Sequence, residues 1–156
     1  MGGARPAFTM ATPFFAAAIA LLHQRCFNDP WSEAAAREIL AMPGVFCLIA
    51  ANGDGDGGEN PAGFVICRLA ADECEIIAIG VAPKRRRAGI ASALLAAAMA
   101  RARGLGAKNA FLEVAVDNFT AAALYRKQGF AEAGKRPDYY RRRQGRVDAL
   151  IMAKIL

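Results

Sequence analysis

The chain has 156 residues, 55% of them hydrophobic and 22% charged, with a formal net charge of +6. That length suits one domain, spanning 1–156, with a core around a single sheet, and is too short for two. The composition excludes disordered and collagen-like classes. Four cysteines, Cys26, Cys47, Cys67 and Cys74, are scattered without a C-x-x-C pair, and His23 is the only histidine. No metal site is expected from that spacing, and the thiols are read as reduced in a cytoplasmic protein.

After a short apolar lead-in, Pro13 to Cys26 reads as one helix. Its FFAAAIALL run, Phe14 to Leu22 behind Arg5, has the look of a secretory core. Nine residues cannot span a bilayer, however, and His23 to Trp31 offers no small-residue cleavage site. A buried amphipathic helix without membrane contact is expected, with His23 structural. Ser32 and Glu33 supply the cap and first turn of a second helix, which Gly44 follows. Val45 to Ala51 reads as a strand, and the glycine-rich run Asn52 to Asn60 fits only a loop.

Gly63 to Leu69 and Cys74 to Val81 flank a short turn and form an expected antiparallel pair. Ser92 to Arg103 is alanine- and leucine-rich and helical, stopped by Gly104 and Gly106. A strand at Asn109 to Val116 follows, then a helix at Thr120 to Gln128 capped by Asp117 or Asn118 and ended by Gly129. Asp148 to Ile155 is a last strand. Strand, two helices, three strands, helix, strand, helix, strand is an α/β order in which one crossover helix joins parallel neighbours.

Two features carry charge chemistry. Lys135, Arg136, Arg141, Arg142, Arg143 and Arg146 crowd together near the C-terminus. Nucleotide phosphates, RNA or an acidic peptide would suit such a patch, as would a plainly solvated loop. In Pro83 to Ser92 (PKRRRAGIAS) a strand ends, basic residues follow, Gly89 allows close backbone approach and a helix begins. Free N–H groups at the helix start, with its dipole, favour a pyrophosphate there. A solvated basic turn would share this composition.

The run Arg86, Arg87, Ala88, Gly89, Ile90, Ala91 resembles the acetyl-CoA pyrophosphate motif of the GNAT superfamily of N-acetyltransferases. The preceding Ile79, Gly80 and Val81 resemble that family's cofactor-facing strand, and Asp117 to Phe130 its later cofactor motif. Pro30 to Ser32, Pro43 to Phe46, Leu112 to Val114 and Tyr139–Tyr140 are similar to the bacterial ribosomal-protein alanine N-acetyltransferases. Ala91 departs from the pattern, since many members carry glycine there. The resemblance implies a mixed sheet of about six or seven strands, flanked by about four helices, with two parallel strands splayed at the acetyl-CoA site. It also implies cofactor contacts from Ile79 to Val81, Arg86 to Ser92 and Asn118.

Acetyl transfer to an amine needs a base for the ammonium proton, polarisation of the thioester carbonyl and an acid for the departing thiolate. Strand alternation puts Phe111, Glu113 and Ala115 on one face, so Glu113 sits among apolar neighbours. Alone, that pattern fits an outward-facing glutamate as well as a base; the resemblance assigns it the base. Asn118 and Tyr125 share one helix face. The resemblance gives Tyr125 the acid role, Asn118 a hydrogen bond to the pantetheine arm, and the backbone of Ile79 to Val81 the carbonyl-polarising donor.

Deprotonating a peptide α-amine at neutral pH costs about 3.4 kcal/mol less than deprotonating a lysine. An α-amine acceptor is therefore the easier nucleophile, and Trp31, Tyr139 and Tyr140, at expected loops, are candidates to wall a peptide groove. The implied partner is a protein N-terminus, that of a ribosomal protein by resemblance. Aminoacyl-tRNA, lysine or a small amine as acceptor, and a non-catalytic acyl-CoA or RNA-binding module, are the competing readings.

Overall fold

The apolar runs assemble into one seven-stranded sheet in the computed structural model, which describes residues 8–51 and 61–156. Arg5 and the glycine-rich run at 52–60 lie outside the described residues. β1 (Phe8–Ala11), a 3-10 turn at Pro13–Phe15, α1 (Ala16–Cys26) and α2 (Glu33–Ala41) come first. β2 (Val45–Ala50), β3 (Gly63–Ala70) and β4 (Glu73–Val81) form a meander, and α3 (Ile90–Gly104) crosses over to β5 (Asn109–Ala115). α4 (Phe119–Lys127) then leads to the hairpin of β6 (Ala131–Arg142) and β7 (Gly145–Ile155).

The sheet order is β1-β2-β3-β4-β5-β7-β6. Among the described residues only β4 and β5 pair in parallel, joined by the crossover helix as the element order implied. β2 divides the two cores. Phe46, Leu48 and Ala50 pack beneath α3, while Cys47 and Ile49 face α1 and α2, the alternation of a strand buried on both sides. Local signals set the helix ends: the Ser32 hydroxyl accepts from Ala35 N at 3.1 Å as the α2 cap, and Gly129 leaves α4 with φ +93. Among the described residues no helix is long and apolar enough to cross a membrane.

The sequence reading missed β6. Its residues AEAGKRPDYYRR are all exposed except Tyr140, so they lack the apolar alternation that marks a half-buried strand. β6 is an edge strand, where charge and Pro137 are tolerated because one side needs no ladder partner. Tyr139 and Tyr140, expected on a loop, stand on this strand. β7 in turn begins at Gly145, ahead of the expected Asp148.

Candidate active site

β4 and β5 are hydrogen-bonded neighbours only from Glu73–Asn109 to Ile76–Leu112, although β4 continues to Val81 and β5 to Ala115. The sheet therefore opens between Ile77–Val81 on one wall and Glu113–Ala115 on the other. The separation coincides with a bulge. Cys67 pairs with Ile76 and Ile66 with Ala78, which leaves Ile77 as an extra residue in β4. A bulge bends its strand and shifts side-chain alternation by one. Cys74 and Ile76 accordingly lie in the core beneath α3, and Ala78 in the core beneath α1 and α2.

Close packing holds the wall of β4. A Cβ at Gly80 would stand 2.9 Å from Phe64 Cε1 and 3.1 Å from Cys26 Sγ. The Cys26 thiol and Arg86 Nε both donate to the Val81 carbonyl, at 3.4 and 3.1 Å. Arg86 is thus tied to the end of the strand. Beyond it, Arg87 and Gly89 take left-handed conformations, φ 67 and 75. The first α3 bond runs from Ala93 N to Gly89 O at 3.0 Å, so the N–H groups of Ile90, Ala91 and Ser92 have no acceptor within the helix.

Among the described residues no heavy atom lies within 4 Å of a Cβ built on Gly89, so they leave the space before this helix start open. Lys84, Arg85, Arg86 and Arg87 are exposed around it. Open space, free backbone donors and positive charge together fit a pyrophosphate. A strained αL arginine beside them is the kind of conformation that collects at ligand-binding loops.

Glu113 is the first β5 residue past the last β4–β5 pair. Its side chain is 18% exposed, and Arg136 Nε lies 3.0 Å from its Oε1. The carboxylate expected among apolar neighbours alone is therefore paired. Arg136 also lies over the Tyr139 ring, 5.7 Å from its centroid. The hydrogen bond to Glu113 is the main cause that holds the Tyr139 phenol above its ordinary value, with burial and the Glu113 charge adding to it. Tyr139 meets Tyr140 edge-on at 5.0 Å.

Tyr140 links the two residues assigned to acid–base work. Burial first, then the Glu113 charge, pushes its phenol up to about 12. Tyr125 is 6% exposed and packs edge-on against Phe130 at 6.0 Å. Burial, followed by its neighbours Tyr140 and Cys67, holds the Tyr125 phenol well above the usual value, so it carries its proton throughout the neutral range. Tyr140 thus lies within electrostatic reach of both Glu113 and Tyr125.

The remaining residues divide. Asn118 caps α4, its Oδ1 accepting from Ala121 N at 3.2 Å, which leaves the amide NH2 to donate elsewhere. Trp31 is held against His23, ring centroids 4.1 Å apart, and its backbone N–H donates to His23 Nδ1 at 3.1 Å. It packs with the α1–α2 core, whereas the contacts of the tyrosine pair run to Glu113. Sequence reasoning missed Arg136 as an individual residue: it lay in a charge cluster read as a patch, and nothing in its spacing pointed to Glu113.

The profile of the Acetyltransferase (GNAT) family matches residues 16–130. An Escherichia coli K12 protein named [Ribosomal protein bS18]-alanine N-acetyltransferase is 33% identical over 132 residues, covering 85% of each chain. The Mycobacterium tuberculosis N-alpha-acetyltransferase RimI is 38% identical over 117 residues, 73% of this chain and 70% of its own. The crystal structure of the ribosomal-protein-S18-alanine N-acetyltransferase from Escherichia coli superposes with a TM-score of 0.83 at 30% identity, covering 94% of this chain and 92% of that one.

Proposed function

The chain belongs to the Acetyltransferase (GNAT) family, and from that premise we propose that it acetylates the α-amine of a protein N-terminus, the N-terminal alanine of a small-subunit ribosomal protein. It is an N-acetyltransferase that uses acetyl-CoA. One observation carries the choice of site: Glu113 is the first residue of β5 past the point where the sheet opens, so a carboxylate faces the cleft where a cofactor-bound acetyl group and an amine can meet. The names of its relatives support the acceptor. A ribosomal acceptor places the enzyme in the cytoplasm.

Bound acetyl-CoA supplies an acetyl group activated as a thioester. On this reading the backbone N–H groups of Ile90 to Ser92 and the arginines Arg86 and Arg87 hold the pyrophosphate, with Ala88, Gly89 and Ala91 leaving room for it. Ile79, Gly80 and Val81 line the arm's path on the open edge of β4, where a backbone N–H polarises the carbonyl, and the Asn118 amide donates from the opposite side. Glu113 takes a proton from the acceptor ammonium. Tyr125, protonated by virtue of its burial, gives its proton to the departing thiolate. Tyr139 and Tyr140 wall the acceptor side, and Trp31 supports that side through α1 and α2.

The test uses two peptides and mass spectrometry. Acetyl-CoA and the protein are incubated with a lysine-free peptide beginning in alanine, and separately with an N-blocked peptide carrying one internal lysine. A gain of one acetyl group on the first peptide alone is the expected result. Acetylation confined to the lysine peptide rejects the α-amine assignment.

A further inference from the structure

One arm of the basic hairpin reaches the cleft through a single side chain. Between the pairs Arg136–Ala149 and Tyr140–Val147, β6 places Pro137, Asp138 and Tyr139 opposite Asp148 alone. Asp138 takes φ 52 there. Its N–H donates to Asp148 Oδ1 at 3.0 Å, and its carbonyl accepts from Arg146 Nη1 at 3.4 Å. Arg136 is the last paired residue before this pinned bulge, and its Nε meets Glu113 Oε1 at 3.0 Å. The guanidinium side chain is 57% exposed while the carboxylate side chain is 18% exposed.

We infer that Arg136 is a specificity-determining residue: it holds the Glu113 carboxylate where the acceptor's ammonium must bind, and yields it only to an acceptor that brings a positive charge of its own. The inference rests on Glu113 being the group that receives the acceptor's proton. A guanidinium and an ammonium compete for the same carboxylate oxygen, and exchanging one for the other keeps the carboxylate paired with a cation. A neutral acceptor such as a hydroxyl or amide would leave the half-buried carboxylate with a weaker partner. Because Arg136 is largely exposed, its ion pair is weak enough for a cation to displace.

The test compares Arg136→Gln and Arg136→Lys with the wild type, using the lysine-free peptide that begins in alanine. Removing the competing cation lowers the peptide KM of Arg136→Gln by about threefold to fivefold, the scale of an exposed ion pair. The acetyl-CoA KM is unchanged. Arg136→Lys, which keeps a cation, restores the wild-type peptide KM. Peptide affinity measured by calorimetry in the presence of CoA, which needs no turnover, tightens by the same factor. An unchanged or weakened peptide affinity in Arg136→Gln overturns the inference. A wild type that binds the peptide yet forms no product instead rejects the α-amine reading, so the two failures are distinct.

Discussion

Arg142 lays Nε and Nη2 on the two carboxylate oxygens of Asp117, at 2.9 and 2.8 Å, with its guanidinium 5.7 Å from the centroid of the Tyr140 ring. The fork ties the end of β6 to the residue before the α4 cap, Asn118. It therefore joins the hairpin proposed to wall the acceptor to the loop proposed to hold the cofactor. The Arg142 guanidinium holds the Asp117 carboxyl below the ordinary carboxylate range. Planar two-point pairs fix orientation in a way a lysine cannot reproduce. Asp117→Asn should speed amide hydrogen exchange at Tyr140 to Arg142 and leave α3 unchanged. Arg142→Lys should do the same, and equal exchange in all three proteins would show that the fork orders nothing.

His23 gives the fold a pH dependence of known sign. It is 4% exposed, stacked between Phe27 at 4.2 Å and Trp31 at 4.1 Å. Burial lowers its pKa from 6.5 to about 4, with Asp29 opposing. Between these values the unfolded chain binds a proton that the folded chain does not. Stability is therefore fully present above pH 6.5 and is lost as the pH falls toward 4, by about 2 kcal/mol between pH 7 and 5. Denaturant titrations of wild type and His23→Gln at both pH values isolate this contribution; the variant should lose less on acidification, and an equal loss would remove His23 as the cause.

Gly80 and Gly89 should fail differently when changed to alanine. At Gly89 the added methyl meets no atom of the described residues within 4 Å, so the strain lies in the left-handed backbone, at about 1–2 kcal/mol. The same methyl enters the space proposed for the pyrophosphate, and the acetyl-CoA KM should rise. At Gly80 the methyl crowds Phe64 and Cys26, which should cost about 1–3 kcal/mol through overpacking. Thermal melts with acetyl-CoA titrations separate the two: ligand stabilisation should be weakened more in Gly89→Ala than in Gly80→Ala.

What the sequence made legible followed the strength of its local signals. α3 and α4 were readable because alanine-rich runs end at glycines and Asn118 offers a cap. The turn ahead of α3 was readable because Gly89 follows four basic residues and Ala88 ahead of a helix. The opening between β4 and β5 was not readable from periodicity, because the bulged Ile77 sits in the uniformly apolar stretch IIAIGV, where a slip of one residue leaves no mark. Arg136 and Glu113 belong to strands separated in the sheet by β7, so their ion pair spans a whole strand and leaves no trace in the local sequence. Edge strands and long-range pairs depend on tertiary packing that no local window contains.

The role of Glu113 is tested most directly by the rate of acetyl transfer to the alanine peptide at saturating acetyl-CoA and peptide, measured for wild type and Glu113→Gln. The substitution keeps the side-chain shape and removes the proton acceptor. It should slow transfer by about 100-fold or more with the acetyl-CoA KM unchanged. A Glu113→Gln enzyme that transfers acetyl at the wild-type rate would contradict the assignment and place the base elsewhere in the cleft.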